Sequence, residues 1–344
     1  MRLRRTAAAI AAGMLASLLA PAPFAGAGER DLKLSEATTA GVHNTYATGT
    51  YRYLAESLDS GTTLIELDIW AKPFGNGWWV NHLSPIGNAN NCVAADTPDG
   101  LYHGTRNQDF AHCLDDIKLW LDAHPNYGPL HLKIENKSGF AAGRGQGPAG
   151  LDAMLRLHLG DRIYRPAELL AGHRTLDEAA RANAWPVRSA LRGKIVVELI
   201  PGVNERLNPL DPVKSDVEYA SYLRTLRETG RIDQAQIFPV VLDAQPGDPR
   251  RRYTDPGLRP WFVVFDGFAV DYVNGSIDTS WYDTNHYLLI MTKAHEPKPS
   301  IDSHHPDTTE ARERVARLAR AHATVATSDW SYLHAALSPV YPRG

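Results

Sequence analysis

The stretch "TLIELDIW", residues 63–70, decides the fold class, because it is typical of a buried strand and yet has two charged residues on one face. Successive side chains of a β-strand point to opposite sides, so Glu66 and Asp68 share one face and the other face is apolar. An unpaired carboxylate is very costly to bury. These two acids must therefore be paired with cations, bind a metal ion or line a wet cavity.

Two later stretches repeat this arrangement of one charged and one apolar face. "PLHLKIENK", residues 129–137, places Lys133, Glu135 and Lys137 opposite an apolar face, and "GKIVVELI", residues 193–200, again alternates charged and apolar residues. Strands of parallel sheets are normally covered on both sides and are continuously apolar. Repeated charge on one face therefore indicates ion pairing or a polar cavity inside the sheet.

Predicted strands alternate with predicted helices along most of the chain. "NQDFAHCLDDIKLWLDAHP", residues 107–125, is typical of an amphipathic helix, and helices are also predicted at 51–61 and 307–323. The remaining predicted strands are residues 34–42, 78–82, 236–242, 261–265, 287–292 and 322–329. This alternation favours parallel βαβ units, and roughly eight strands predict a single, irregular (β/α)₈ TIM-type barrel of the α/β class. An open doubly wound sheet is the alternative, but no glycine-rich phosphate loop follows a strand.

The acidic strands predict a metal site at one end of the barrel. Active sites of this fold lie at the carboxyl ends of the strands, where Glu66, Asp68 and Glu135 converge and Asn44 follows the first strand. Carboxylate and amide oxygens suit Ca²⁺ or Mg²⁺, and an irregular set of them favours a single Ca²⁺ ion. The alternative is that lysines of the same strands pair with these carboxylates.

Two histidines end strands that lead to the same region. His43 lies in "AGVHNTYATG", residues 40–49, and His82 ends "WWVNH". Two histidines beside a metal ion suggest general acid–base catalysis or stabilisation of a transition state. The alternative is an ordinary polar turn at each position.

The amino-terminal residues resemble a cleavable export signal. Three arginines precede an apolar run at residues 7–20, and the Ala-Gly-Ala at residues 25–27 fits a cleavage site. We therefore predict a signal peptide at 1–27, a single domain at 28–344 and secretion. The apolar run is too short for a comfortable transmembrane span.

The charge and the cysteines limit the partners and the compartment. Loss of the three signal arginines changes the formal net charge from −3 to about −6 (−3 minus 3), and no basic stripe predicts nucleic-acid binding. Cys92 and Cys113 are the two cysteines. In an exported protein they predict a disulfide, and two buried thiols are the alternative.

Several of these stretches resemble one enzyme family. "GVHNTY" resembles the His-Asn-Ser/Thr-Tyr segment of the catalytic X region of phosphoinositide-specific phospholipases C, and "LIELDIW" resembles its Val-Glu-Leu-Asp strand. "WVNHLSP" stands where that family has its second histidine, and "LHLKIENK" resembles the strand with a further calcium-binding glutamate. The block "CLDDIKLWLDAHP" after Cys92 is similar to the calcium-dependent bacterial group, as are "WPVRSALRGKIV" and "ATVATSDW". The resemblance extends over residues 33–333.

The resemblance implies a function for each matching residue. The implied calcium ligands are Asn44, Glu66, Asp68 and Glu135. His43 would donate a hydrogen bond to the phosphoryl oxygen, and His82 would protonate the leaving oxygen. Lys133 and Lys137 could bind phosphate groups or balance the carboxylates.

The implied protein is a secreted, monomeric phosphodiesterase that acts on phospholipid head groups at a membrane surface. It would cleave phosphatidylinositol-type lipids into diacylglycerol and a cyclic inositol phosphate. One alternative is a related barrel phosphodiesterase for glycerophosphodiesters or sphingolipids, and another is a non-catalytic, calcium-binding lipid or carbohydrate module. Trp78, Trp79, Trp261 and Trp281 could form a lipid-facing rim or pack in the core.

Overall fold

The computed structural model describes residues 31–344 apart from Asn88 and Ser276. The predicted signal peptide, residues 1–27, lies outside the described residues. Within the described part, Leu32–Gly344 form one compact unit. No helix among the described residues is long and apolar enough to cross a membrane.

Ten strands form one curled sheet. They are β1 (Ala37–Val42), β2 (Leu64–Ala71), β3 (Trp78–Val80), β4 (Leu130–Asn136), β5 (Ile195–Pro201), β6 (Ile237–Leu242), β7 (Val264–Phe268), β8 (Leu288–Thr292), β9 (Val325–Ser328) and β10 (Tyr341–Pro342). The order is β10-β1-β9-β8-β7-β6-β5-β4-β2-β3. All neighbours pair in parallel except β3, which is antiparallel to β2, and β10, which is antiparallel to β1.

The eight parallel strands curl until β1 lies beside β2. The Thr63 amide donates to the Ala40 carbonyl over 2.9 Å, although no regular ladder joins the two strands in the described chain. A Cβ atom on Gly41 would lie 2.6 Å from Cβ of Leu64, so the backbones approach closely. The predicted irregular (β/α)₈ barrel is thus confirmed, with the irregularity at this closing point and in the two antiparallel strands.

Helices cover the outside of the barrel. They are α1 (Leu54–Asp59), α2 (Phe110–Ala123), α3 (Pro148–Leu159), α4 (Pro166–Leu170), α5 (Leu176–Arg181), α6 (Val203–Leu207), α7 (Ser215–Glu228), α8 (Ala269–Asn274), α9 (Ser280–Thr284), α10 (Thr308–Arg320) and α11 (His334–Leu337). The sequence explains α2 well, because Asp109 accepts a hydrogen bond from the Ala111 amide as its N-cap. Its stripe of apolar side chains, including Phe110 and Leu114, is buried.

A disulfide joins Cys92, in the segment after β3, to Cys113 on α2, with 5.0 Å between the Cα atoms. Asp116, one turn further along α2, accepts hydrogen bonds from the Val93 and Ala95 amides. The predicted disulfide is confirmed, and the segment that follows His82 is thereby held against the helix. A disulfide is the bond expected in an oxidising compartment.

Candidate active site

The inner faces of β2 and β4 supply the charged residues of the barrel interior. The register pairs Glu66 with Lys133 and Asp68 with Glu135, so these four side chains form two adjacent levels. Glu66 is 2 % exposed and Asp68 is fully buried. Because the strands are parallel, the level of Asp68 and Glu135 lies nearer to the carboxyl-terminal mouth.

Three carboxylates meet at this mouth. Ligand atoms of Glu66, Asp68 and Glu135 all lie within 4.8 Å of one another. The Lys137 ammonium lies 2.8 Å from Asp68 Oδ2 and 2.9 Å from Glu135 Oε1. Lys133 lies deeper, 3.2 Å from Glu66 Oε1 and 3.1 Å from Oδ2 of Asp266 on β7. Part of the acidic charge is therefore paired, as the ion-pairing alternative requires.

Asn44 lies beside the carboxylate cluster and contacts Glu66 through its backbone. It has φ of +52°, a left-handed conformation that Asn tolerates better than most residues. Its backbone amide donates to Glu66 Oε2 over 3.4 Å. The Oδ1 atoms of Asn44 and Asp68 are buried, and neither has a hydrogen-bond partner within the described part of the chain. Buried polar atoms normally have a partner, so these oxygens fit the ligand shell of a cation.

The charges of the cluster also fit a divalent cation. Glu66, Asp68, Glu135 and Asp266 supply four carboxylates, whereas Lys133 and Lys137 supply two ammonium groups. Burial and the two neighbouring carboxylates raise the pKa of Asp68 to about 7, against the effect of the lysine at its side. The excess negative charge and the all-oxygen donor set are those of a Ca²⁺ site.

His43 is held by a carboxylate that was not identified from the sequence. Its Nδ1 lies 2.8 Å from Oδ1 of Asp329, directly after β9, and its Nε2 lies 3.7 Å from Glu66 Oε2. Burial lowers the pKa of His43, but Glu66 and Asp329 together raise it above its usual value. The protonated form is therefore more favoured than in an isolated histidine, and Nε2 faces Glu66 of the carboxylate cluster.

His82 is exposed, in the loop after β3. Its amide donates to Asn81 Oδ1, while Asn81 Nδ2 donates to the carbonyls of Ile86 and Gly87, so Asn81 shapes this loop. Burial and the charges of Lys137 and His43 lower the pKa of His82. The backbone amide of the preceding Asn81 donates to the Asp68 carbonyl over 3.1 Å, so the His82 loop starts beside the strand that carries the carboxylates.

Comparisons with known proteins point to one family. Residues 99–207, which include β4 and β5, match the family model described as "Phosphoinositide phospholipase C, Ca2+-dependent". A Ca²⁺-dependent phosphatidylinositol-specific phospholipase C from Streptomyces antibioticus is similar in structure, with a TM-score of 0.88. It shares 53% sequence identity, and the match covers 91% of this chain and 99% of that one. The chain belongs to the calcium-dependent phosphoinositide phospholipase C family.

Members of this family are phosphodiesterases, so the chain is assigned to that class of enzyme. A calcium-dependent phosphoinositol-specific phospholipase C from a Gram-negative Pseudomonas species has 18% identity and a TM-score of 0.66. That match covers 91% of this chain and 96% of the other, and it supports the fold alone. A search of curated proteins finds no match.

Two acidic residues of this phospholipase C family member, Asp266 and Asp329, were not identified from the sequence. Asp329 and Asp266 each stand alone at or near the end of a strand, in "TSDW" and "VFDG", with no second charge at alternate positions. The only signal that could have found them is their place near the carboxyl end of a barrel strand. The structure brings both into contact with residues that the sequence did identify, His43 and Lys133.

Proposed function

We propose that this chain is a secreted, calcium-dependent phospholipase C that cleaves phosphatidylinositol-type lipids into diacylglycerol and a cyclic inositol phosphate. The observation that carries this proposal is the cluster of Glu66, Asp68 and Glu135 beside His43 and His82 at the barrel mouth. The description of the Streptomyces antibioticus protein as specific for phosphatidylinositol supports the same class of substrate.

One Ca²⁺ ion would be held by oxygens of Asn44, Glu66, Asp68 and Glu135. The support for this ligand set is the close approach of the carboxylates and the two buried oxygens without hydrogen-bond partners among the described residues. When bound, the ion would contribute Lewis-acid chemistry, which lowers the pKa of the attacking inositol hydroxyl and offsets the phosphate charge.

His43 would stabilise charge on the phosphoryl group. Asp329 accepts the hydrogen bond of Nδ1–H, and the raised pKa favours a proton on Nε2 as well. A protonated Nε2 can donate to the phosphoryl oxygen as negative charge develops there. Asp329 would act as a positioning residue, because it fixes the orientation of the imidazole ring.

His82 would give its proton to the oxygen of the departing diacylglycerol. Its position on an exposed loop leaves it accessible to a substrate that enters from solvent or from a lipid surface. A ligand carboxylate, Glu66 or Asp68, would accept the proton of the inositol hydroxyl beside the phosphodiester. The attack of that hydroxyl on phosphorus closes the cyclic phosphate and releases the diacylglycerol oxygen, which takes the proton of His82.

The two lysines have different surroundings, and we assign them different functions. Lys137 borders the cluster at the mouth, where its ammonium contacts Asp68 and Glu135. Lys133 is 2 % exposed and lies between Glu66 and Asp266. Contact with a substrate phosphate is therefore assigned to Lys137, and charge balance within the barrel is assigned to Lys133.

The mouth also carries the apolar residues that a lipid surface would contact. We define the apolar rim as the exposed apolar residues at the carboxyl ends of the strands and in the segments that follow them. Its members are Phe74, Leu83, Ile86, Val203, Leu207, Leu210, Val213, Phe268 and Tyr332. Lys214 Nζ donates to the carbonyls of Glu205, Asn208 and Asp211, which stabilises the end of α6 with Leu207 and the following turn with Leu210.

The tryptophans do not form this rim. Trp78 and Trp261 are 1 % and 4 % exposed, which confirms core packing for these two and makes the lipid-facing alternative wrong for them. Trp79 and Trp281 are half-buried, and Trp281 packs against Phe265 with 5.6 Å between ring centroids. Aliphatic residues in the segments after β3 and β5 supply most of the rim instead.

Export through a signal peptide at residues 1–27, with a mature domain at 28–344, completes the proposal. The Cys92–Cys113 disulfide supports it, because such bonds persist in oxidising compartments. Amino-terminal sequencing of the protein recovered from culture medium tests the boundary. A mature protein that begins far from residue 28, or one retained in the cell, would contradict it.

The function is tested by product analysis. Purified protein is incubated with phosphatidylinositol vesicles in calcium or in a chelator, and the phosphorus-containing products are identified by NMR. A cyclic inositol phosphate that forms only with calcium is expected. A glycerophosphate product would indicate a related phosphodiesterase, and calcium binding without any product would indicate a non-catalytic module.

The ligand set is tested separately by calorimetry without lipid. Asp68→Ala should abolish the calcium signal, because Asp68 is fully buried and its Oδ1 has no other partner in the described chain. Asp243→Asn, in the exposed loop after β6, removes an acidic charge outside the barrel and serves as the control. Unchanged calcium binding in Asp68→Ala would exclude this ligand set.

A further inference from the structure

A continuous series of polar contacts crosses the barrel interior beneath the carboxylate cluster. The Thr292 hydroxyl, on β8, donates to Asp266 Oδ1 over 2.6 Å. The other oxygen of Asp266 lies 3.1 Å from the Lys133 ammonium, which lies 3.2 Å from Glu66 Oε1. The side chains of Glu66, Lys133 and Asp266 are each 2–3 % exposed. Residues of three other strands thus determine where Glu66 lies: β4, which pairs with β2, and β7 and β8 on other parts of the barrel wall.

The two oxygens of Glu66 have different neighbours. Oε1 contacts Lys133, deep in the barrel, whereas Oε2 lies 3.4 Å from the Asn44 amide and 3.7 Å from His43 Nε2. Asn44 and His43 both belong to the turn after β1, at the mouth. Lys133 therefore holds one oxygen of this carboxylate and leaves the other directed toward the proposed calcium site.

Lys133 would be a poor neighbour for a metal ligand if Glu66 were its only counterion. A buried ammonium needs close opposite charge, and one carboxylate that served this need alone would be less available to a cation. Asp266 supplies a second carboxylate to Lys133, with its Oδ2 3.1 Å from the ammonium. Glu66 and Asp266 then share the ammonium charge of Lys133. The four carboxylates of the network exceed the ammonium groups of Lys133 and Lys137 by two negative charges.

We propose that Asp266 is a positioning residue for the calcium ligand Glu66, that it acts through Lys133, and that Thr292 orients it. The inference rests on the proposed calcium site and assigns a function to a carboxylate that does not itself border the mouth cluster. Removing the Asp266 charge leaves Lys133 to pair with Glu66 alone and lowers the excess negative charge by one. The expected consequence is weaker calcium binding with the catalytic groups still in place.

Calcium titration calorimetry of the full chain without lipid tests this proposal. Residues that support metal ligands typically change metal affinity by about 10–100-fold when they are substituted, so Asp266→Asn should weaken calcium binding by at least about tenfold. Thr292→Val keeps the charge of Asp266 and removes only its hydrogen bond, so its loss should be smaller, roughly threefold. Asp243→Asn, an exposed acid at the same end of the barrel, should stay within about twofold of the parent.

Activity at varied calcium distinguishes positioning from direct catalysis and from a loss of structure. In Asp266→Asn the calcium concentration for half-maximal activity should rise, while kcat at saturating calcium should return to within about threefold of the parent. A kcat that stays far below the parent at saturating calcium would overturn the proposal. So would calcium affinity that equals the parent's in a folded Asp266→Asn protein.

A double-mutant cycle tests whether Lys133 mediates the effect. In a Lys133→Met background, Asp266→Asn should change calcium affinity by less than about threefold, because the residue it acts through is gone. An equal loss in both backgrounds would overturn the proposal in favour of a general effect of charge. Should Asp266→Asn fail to fold, Thr292→Val decides the question, and an unchanged calcium affinity in that variant would overturn the proposal.

The calorimetric test does not depend on the identity of the substrate. A parent protein that binds calcium without cleaving phosphatidylinositol would contradict the proposed substrate and leave the result for Asp266 valid. A parent protein that binds no calcium would contradict the metal site and, with it, this inference.

Discussion

His43 and Asn44 are adjacent in sequence, and the structure gives their side chains different surroundings at the same mouth. Asn44 has a buried side-chain oxygen without a partner among the described residues, whereas His43 lies between Asp329 and Glu66. His82 approaches from another loop and has no such carboxylate among its closest described contacts. The two histidines should therefore differ in function, although either substitution should remove most of the activity.

We predict that His43→Ala and His82→Ala retain calcium affinity and lose at least about a hundredfold in kcat. General acid–base catalysis contributes about 10²–10⁴-fold, and a donor to a developing oxyanion about 10²–10³-fold. The measurement is kcat on phosphatidylinositol at saturating calcium, with calorimetry to check the metal site. Full activity of His43→Ala would mean that the segment is only a polar turn.

The leaving group separates the two functions. An alcohol of low pKa departs without a proton, so an inositol phosphate with a nitrophenyl leaving group should rescue His82→Ala much more than His43→Ala. Equal rescue of both variants would contradict the assignment of His82 as the general acid. Asn81→Ala, which alters the His82 loop without removing the imidazole, provides a comparison for effects of loop structure.

A buried acid remote from the site should make stability depend on pH. Asp152, on α3, accepts hydrogen bonds from the Tyr219 hydroxyl and the Gln236 amide, and burial raises its pKa to about 8. An unfolded Asp has a pKa of about 3.9. Between roughly pH 4 and pH 8 the folded state keeps a proton that the unfolded state has lost, so stability falls as the pH rises through this window.

We predict that Asp152→Asn removes this pH dependence. Its free energy of unfolding relative to the parent should increase by roughly 1–4 kcal/mol between pH 5 and pH 8, since the amide never ionises. Chemical denaturation in chelator at several pH values measures the difference. Asp161→Asn, at an exposed site, is the control, and a difference for Asp152→Asn that does not vary with pH would refute the prediction.

At the residue scale, the sequence identified the site residues that repeat along a strand. Glu66 with Asp68, and Lys133 with Glu135 and Lys137, were found because period-two alternation makes a charged face visible. Single acids that face the interior from other strands, such as Asp266, carry no comparable pattern. Their function depends on which strands lie opposite in the closed barrel, and that is a property of the tertiary structure.

At the element scale, strands were predicted more reliably than helices. The strand expected at 261–265 is observed at Val264–Phe268, because Trp261, Phe262 and Val263 are buried like the strand itself and a continuous apolar run has no marked start. The helix Ser215–Glu228 was not predicted. Its inward side includes the polar Ser215 and Asp216, which obscure the apolar stripe.

The closing point of the barrel gives an element-scale prediction. Gly41 carries ordinary backbone torsions, but a Cβ atom there would lie 2.6 Å from Leu64 Cβ and 3.0 Å from Thr327 Cγ2. Gly41→Ala should therefore force β1 and β2 apart and destabilise the fold by about 1–3 kcal/mol, as overpacked cores do. Thermal denaturation measures this loss.

The matched control for Gly41→Ala is Gly49→Ala, where nothing lies within 4 Å of the added carbon. That variant should unfold within about 0.5 kcal/mol of the parent, as surface substitutions usually do. Equal stability of both variants would show that β1 and β2 are not packed as closely as described. Because His43 follows β1 directly, Gly41→Ala should also lower activity more than its loss of stability alone explains.

At the scale of the whole molecule, the exposed apolar residues are distributed unequally. Most of the exposed large apolar side chains in the described chain belong to the apolar rim, whereas Leu157 stands apart on the outer helix α3. Tryptophan alone was a poor guide to this surface, because the large indole ring was used in packing at Trp78 and Trp261. Exposure of Leu207 and Leu210 could not be predicted from sequence, since a leucine in such a connecting segment is as often buried.

We predict that Leu207→Ser with Leu210→Ser weakens binding to phosphatidylinositol-containing vesicles by about tenfold or more. These side chains are 77 % and 90 % exposed, and each leucine side chain that leaves water for an apolar surface contributes roughly 1.5–3 kcal/mol when fully buried. Vesicle sedimentation measures the binding, and hydrolysis of a monomeric, water-soluble inositol phosphodiester measures the intact chemistry. That hydrolysis should stay within about twofold of the parent, since neither leucine is among the residues of the carboxylate cluster.

Leu157→Ser, a change of the same kind at a side chain that is 79 % exposed on α3, should leave vesicle binding unchanged. If Leu157→Ser weakens binding as much as the double variant does, or if the double variant binds normally, the barrel mouth is not the surface that meets the lipid.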